Sequence, residues 1–327
     1  MNSDKPCGTI RQAQESGGPL DVICAGMALV DSILLGFDPR PVSASGYRAV
    51  SGTLNPGGEA VNEAVACARL GLSTGILCRL GRDAAGDLIV GELKRAGVHT
   101  ERVVREGSTP VTTLFVFEDG SRKSVTNVAR RQPFHPEKTP QLFTGARVLM
   151  LGSLFRTPFD EPEAVLQVVQ SAKRAGQLVF ADTKIPNFRK IGLSDVAEAL
   201  PFIDYLTPNE DEARFLSGKD TPEEMADVFL SFGVRNVIVK LGKRGCFLKN
   251  KDFGIRLPGI PVRAVDSTGA GDCFLAGFAS ELLRGSGVRA ALCFANACGA
   301  LCATAVGAGG ALQSREQVLR FMKENGA

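Results

Sequence analysis

The stretch from Asp266 to Asp272, Asp-Ser-Thr-Gly-Ala-Gly-Asp, constrains this chain more than any other. It runs directly into a small, apolar segment in which Phe274, Leu275, Phe278 and Leu282 recur at helical spacing and mark one face of a helix. The loop therefore ends where a helix begins. A helix N-terminus leaves backbone N–H groups free and carries partial positive charge, so it can receive an anion. Gly269 and Gly271 lack a Cβ, which lets the backbone approach a ligand closely. Asp272 falls in the first turn, either as a helix-stabilising acid or as a base beside a bound phosphate. Asp or Ser before a helix is most often a cap, and a Gly-Ala-Gly turn alone is a weak signal. The rest of the chain has to decide.

With 327 residues, 44% of them hydrophobic, the chain can bury a sizeable core. Thirty-eight basic and 35 acidic residues leave a formal charge of +3, which gives no basis for nucleic acid or an anionic membrane as partner. Residues 1–20 are polar and lack the apolar stretch of a signal peptide, so they read as a leader before a folded domain spanning 21–327. The nine cysteines, an odd number, sit mostly in apolar segments and suit a reducing cytoplasm rather than a disulfide framework. Cys298 and Cys302 share a helix face, but neither histidine (His99, His135) lies near them, so packing outweighs a metal pair.

Taken in order, Val22–Met27 reads as a buried parallel strand, with Asp31 just beyond its end, where open α/β sheets bind ligands. Leu35–Asn55 reads as short strands and turns standing off the main layer. Asn55-Pro-Gly-Gly-Glu-Ala-Val-Asn62 is a second glycine-rich loop feeding a helix, whose stripe is Val61, Ala64, Val65 and Ala68 and whose end is Gly71. Thr74–Leu80 is predicted as one strand, and the run Gly81–Gly86 opens a helix that ends near Gly97. Thr113–Phe117 and Ser124–Val128 flank Asp119-Gly120, a strong hairpin signal. From Arg147 onward strands and helices alternate: strands at 148–151, 178–182, 203–206 and 237–240, and a helix at 161–175. Asp182 ends one strand, and Asn209 and Glu212 follow another.

Two of these stretches, Gly57-Gly58-x-x-x-Asn62 with Leu70-Gly71 and the Asp266–Asp272 heptad, resemble the two signatures of the ribokinase-like (PfkB-type) carbohydrate kinases. The resemblance runs from about Asp21 to the C-terminus. It implies a three-layer α/β/α fold with a mostly parallel central sheet and a small β-sheet lid, contributed by segments near 35–55 and 111–128. It also implies an ATP-dependent sugar kinase needing Mg²⁺, whose lid keeps water from the phosphoryl group. By resemblance, the amides of Gly269, Ala270 and Gly271 form an anion hole and Asp272 is the general base. Asp31, Gly57, Gly58 and Asn62 would hold the sugar. Asn209, Lys240, Gly242, Gly245, Thr268 and Asn296 would hold ATP, and Glu212 would act on Mg²⁺ through water. Glu59 stands where ribokinases often carry Lys, and the segment after Asp182 has two residues more than the family's Asp-Pro-Asn-x-Arg, which leaves Lys184 as a group that could reach the phosphates. The Ala305–Gly310 turn is where some members bind a monovalent cation, and some pair through the lid. A nucleoside kinase of this fold, or a non-catalytic sugar or nucleoside sensor, remains as an alternative. A dinucleotide fingerprint belongs near the first strand, which counts against a dehydrogenase, and no Walker-type loop occurs, which excludes a P-loop kinase by pattern.

Overall fold

The computed structural model describes residues 19–43, 46–119, 121–127, 140–187, 189–308 and 311–326. Residues 1–18 of the expected leader, Gly120 and Val128 of the expected hairpin, His135, and Gly309 and Gly310 of the expected cation turn lie outside them.

The chain opens with β1 (Leu20–Ala25), β2 (Leu29–Leu35), β3 (Asp38–Ser43), β4 (Gly46–Arg48) and β5 (Ser51–Gly57). Then come α1 (Glu59–Arg69), β6 (Thr74–Leu77), β7 (Arg79–Leu80), α2 (Ala84–Arg95), β8 (Val104–Arg105), β9 (Val111–Val116) and β10 (Arg122–Thr126). The alternating part holds β11 (Ala146–Leu154), α3 (Pro162–Arg174), β12 (Leu178–Thr183), β13 (Tyr205–Leu206), α4 (Glu210–Ser217) and α5 (Pro222–Ser231). It closes with β14 (Asn236–Lys240), β15 (Cys246–Asn250), β16 (Gly254–Leu257), α6 (Ala270–Leu283), α7 (Val288–Cys302) and α8 (Arg315–Glu324).

Eight strands make the central sheet, ordered β16-β15-β14-β13-β12-β11-β1-β6. The run from β14 to β6 is parallel, and β15 and β16 add antiparallel strands at one edge. Successive side chains of a strand point to opposite faces. Val22 and Cys24 thus pack into the core under α1, α2, α6, α7 and α8, whereas Ile23 and Ala25 pack into the core under α3, α4 and α5. Burial on both faces is why β1 and β11 read as unbroken apolar runs. The expected three-layer arrangement is present.

Three expectations need correction. Asp31 does not lie just past the end of a main-sheet strand. The chain leaves the main sheet at Gly26, and the apolar Leu29–Leu35 segment pairs with β5 and β9 in a separate sheet ordered β10-β9-β2-β5. That small sheet consequently begins at Leu29 and ends at Gly57, wider than 35–55, and takes its other strands from 111–116 and 122–126. Thr74–Leu80 is not one strand either. β6 stops at Leu77, and Arg79–Leu80 turns away to pair with β8.

α6 is buried continuously from Asp272 to Glu281. Gly277 lets α7 come close, because a Cβ there would stand 2.7 Å from Cys298 Sγ. Cys298 is thus a packing residue. No helix among the described residues is long and apolar enough to cross a membrane.

Candidate active site

The parallel strands end at one rim, and a cleft of about 540 Å³ opens there. Its walls come from α1 (Gly58, Glu59, Asn62), the small sheet (Leu29, Asp31), the end of β12 (Asp182, Lys184), the end of β14 (Lys240), and the loop into α6 (Thr268, Gly269, Gly271, Asp272). Ligands of open α/β sheets bind outside the carboxyl ends of the strands, for which this rim is the place.

Asp272 sits in the first turn of α6 and is 5% exposed. Its Oδ2 accepts a 2.7 Å hydrogen bond from Asn62 Nδ2, so one oxygen is held and the other is left for a ligand. Burial pushes the carboxyl up to about 6, with Lys184 and the Asn62 hydrogen bond opposing, and Glu59 and Asp182 reinforcing. A base with a pKa near the working pH accepts and releases a proton most effectively.

Gly269 caps α6 in the left-handed region (φ 76°), and a Cβ there would stand 2.8 Å from Ala308 Cα. Only glycine satisfies both demands. Gly271 lines this cleft and also a second cavity of about 490 Å³, shared with Lys240, Gly242, Gly245, Ala270 and Asn296. The start of α6 is therefore the wall between two cavities. The second is largely apolar in its named walls (Ile260, Val262, Phe274), with Asn296 Nδ2 donating to Pro258 O at 3.3 Å. The Leu241–Gly245 turn of the β14–β15 hairpin forms another side, with Gly242 at φ 57° and Gly245 at φ 92°.

Of the remaining sequence-based candidates, Asn209 lines the first cleft and caps α4, its Oδ1 accepting from Glu212 N at 2.9 Å. Glu212, 4% exposed, stands behind that wall. Its Oε2 accepts from Asn209 N and Thr183 Oγ1, both at 3.0 Å, while Oε1 meets only Lys184 Nζ, at 3.9 Å. That leaves one carboxylate oxygen able to receive a water of a hydrated cation. Gly57 does not line the cleft. It stands against the Asp31 carboxylate, where a Cβ would clash with Oδ2. The Thr268 hydroxyl is spent on Asp266 Oδ1 (2.7 Å), so its part in any ligand contact falls to the backbone.

The cleft is crossed by charge. Lys240 Nζ pairs with both Asp182 oxygens, at 2.8 and 2.9 Å. Lys184 Nζ lies 3.4 Å from Glu59 Oε1. Burial works against the charge on Lys184, but Glu59, Asp182, Asp272 and Glu212 hold its pKa above the ordinary lysine value. Asp31 is pushed up to about 6 by burial and then by Glu59.

The family model for pfkB family carbohydrate kinases matches residues 24–315. The chain belongs to the pfkB carbohydrate kinases. It is 30% identical over 318 residues to probable fructokinase-5 of Arabidopsis thaliana, covering 89% of this chain and 95% of that protein. It resembles the structure of Arabidopsis thaliana ribokinase complexed with ribose and ATP, at 28% identity and a TM-score of 0.81 over 94% of this chain and 99% of that one. An E. coli ribokinase II candidate in complex with ATP and Mg²⁺ aligns at 27% identity and a TM-score of 0.73, covering 93% and 99%.

Sequence reasoning missed two residues of this pfkB kinase. Arg156 lines the cleft. It follows β11 in Gly-Ser-Leu-Phe-Arg, where nothing marked it. Glu63 follows Asn62 and is fully buried, and neither of its oxygens has a hydrogen-bond partner among the described residues. It offers an oxygen within 4.8 Å of Asp182 and Asp272. Three carboxylates so close could hold a cation, but the Lys240 ammonium already occupies Asp182. Burial, then the charges of Asp272 and Asp182, push Glu63 far above the ordinary carboxylate range, which favours its neutral form. A carboxyl whose folded pKa is raised stabilises the fold only below its unfolded pKa, and that contribution is lost as pH rises toward the folded value. Glu63→Gln should therefore melt at or above the wild-type temperature at pH 7.5, by a few degrees for about 1–2 kcal/mol, with the gap closing near pH 4–5. Thermal melts of both proteins across that range check it.

Proposed function

We propose that this chain transfers the γ-phosphoryl group of ATP to a hydroxyl of a small sugar, in the cytoplasm. What carries the reading is the position of Asp272. A buried, half-held carboxyl stands at the first turn of α6, where the sugar-sized cleft and the apolar cavity meet. The apolar cavity suits an adenine, with Asn296 as its polar contact and the Gly242–Gly245 turn against the nucleotide. The sugar would lie in the other cleft, its hydroxyls on Asp31, Asn62 and the Gly58 backbone.

In the step itself Asp272 takes the proton of the acceptor hydroxyl, the hydroxyl oxygen bonds to the γ-phosphorus, and ADP leaves. The N–H groups at Gly269–Gly271, Lys240 and Lys184 face the charge that spreads over the phosphoryl oxygens. Such transfers need little covalent chemistry and mostly positioning and charge stabilisation. Glu212 would hold a water of a bound Mg²⁺, which would supply neutralising charge for the phosphates. The small sheet, from which Asp31 reaches the cleft, acts as a lid against water. Its exposed Leu54 and Val125, with the neighbouring exposed Tyr47 of β4 and Val50 of the β4–β5 turn, also support pairing of two copies on that side, which light scattering tests.

The deciding experiment is ADP release from Mg-ATP across ribose, fructose, sugar acids, sugar phosphates and nucleosides. Turnover with one of the sugars is the expected result. Turnover with nucleosides only would make it a nucleoside kinase. Ligand binding without turnover would make it a sensor.

A further inference from the structure

Three cations line the sugar-side cleft, Arg156, Lys184 and Lys240. Two are already matched by acids: Lys240 by Asp182, and Lys184 by Glu59 and Glu212. Arg156 has no acidic partner among the described residues. Its Nε donates to Ile185 O at 2.7 Å, which fixes the guanidinium plane and leaves both Nη groups unused by the protein.

The loop that presents Arg156 is built for the purpose. Ser153 and Phe155 adopt φ of 71° and 77°, left-handed conformations that strain a residue with a side chain. The turn is closed by Arg156 N to Ser153 O (2.9 Å), Phe155 N to Phe159 O (3.0 Å) and Phe159 N to Arg156 O (2.6 Å). Phe155 and Phe159, each 1% exposed, anchor it in the core. Lys184 N donates to Leu154 O at 3.0 Å and ties it to the next strand end. A strained, anchored loop that holds an unpaired guanidinium over a binding cleft is a recognition device rather than a solvated surface charge.

We infer that the substrate is an anionic sugar, a polyhydroxylated molecule bearing a carboxylate or phosphate that the two free Nη groups of Arg156 receive. This deepens the kinase reading above and rests on it. Guanidinium matches both anions, because its planar fork can donate two parallel hydrogen bonds. Asp31 and Glu59, the acids of the small sheet and α1, suit the hydroxyl-bearing part of the same molecule and would repel an anion there. The charge of the substrate is thereby directed to the β11 end of the cleft.

The test is kcat/KM, from ADP release, for two neutral probes (D-ribose, D-fructose) and two anionic ones (2-keto-3-deoxygluconate, fructose 6-phosphate). It uses the wild type, Arg156→Gln and Arg156→Lys. One anionic probe is expected to exceed both neutral sugars at least tenfold, and which one responds separates carboxylate from phosphate. Arg156→Gln should lose roughly ten- to a hundredfold on that probe, mainly through KM, with a much smaller loss on neutral sugars. Arg156→Lys should recover part of it, since lysine supplies the charge without the fork. A neutral sugar preferred by the wild type, with Arg156→Gln losing no selectivity, overturns the inference. Calorimetry with the same probes on an Asp272→Asn background separates the two readings. Arg156-dependent binding of an anionic probe without wild-type turnover would sink the kinase reading and keep the anion site. Failure of both anionic probes to bind would sink the site.

Discussion

Asp272→Asn is expected to lower kcat by roughly two to four orders of magnitude, the usual worth of a positioned general base, while ATP binding survives. The substitution keeps the shape and the hydrogen bond to Asn62 but cannot take the proton. It should not unfold the protein. A carboxyl raised to about 6 by burial is a cost to the folded state at neutral pH, so losing the charge does not weaken the fold there. The same shift sets the pH profile. The base must be ionised, so wild-type kcat/KM should fall below about pH 6 and level off above pH 7. Asp31, raised to about 6 as well, deepens the acid limb through sugar binding. Retained activity in Asp272→Asn, measured by ADP release at saturating sugar, would remove the base from the mechanism.

Lys240→Met should destabilise the protein by about 3–5 kcal/mol, because it leaves the buried Asp182 carboxylate without its counter-charge. The Lys240 and Asp182 side chains are 11% and 2% exposed. Two further donors, Thr183 N and Thr207 Oγ1 at 3.0 and 3.1 Å, satisfy Asp182 Oδ1 but cannot replace a charge. Adding Asp182→Asn should restore most of the lost stability and none of the activity, since the ammonium proposed to face the phosphates is still missing. Urea unfolding of the single and double variants separates the two effects. Equal stability of Lys240→Met and the wild type would mean that the Thr183 and Thr207 donors hold Asp182 without the ammonium.

The central sheet was legible because burial on both faces writes strands as unbroken apolar runs, as in Val148–Leu151. Asp272, Asn62 and the glycine loops were legible because loop-to-helix junctions demand particular residues at fixed spacing. Asp31 was placed on the wrong sheet. Its neighbours Leu29 to Leu35 are apolar enough for either layer, and only pairing with residues 51–57 and 111–116 decides between them. Glu63 and Arg156 were invisible for a different reason. Their significance lies in which partners they lack, and a missing partner has no sequence pattern.

The unbroken burial of α6 from Asp272 to Glu281 has a consequence for how the protein melts. Segments with few buried contacts open by local fluctuation, whereas core segments open only with the whole molecule. The amides of Cys273 to Phe278 should then exchange their hydrogens only through global unfolding. β10, an edge strand of the small sheet with mostly exposed residues, should exchange far sooner. On warming, grip on the sugar would loosen well before the phosphoryl-receiving end loses its shape. On the proposed reading, the chemistry at Asp272 would be as durable as the fold itself, and the shelter that the small sheet gives the cleft is the part that heat would erode first.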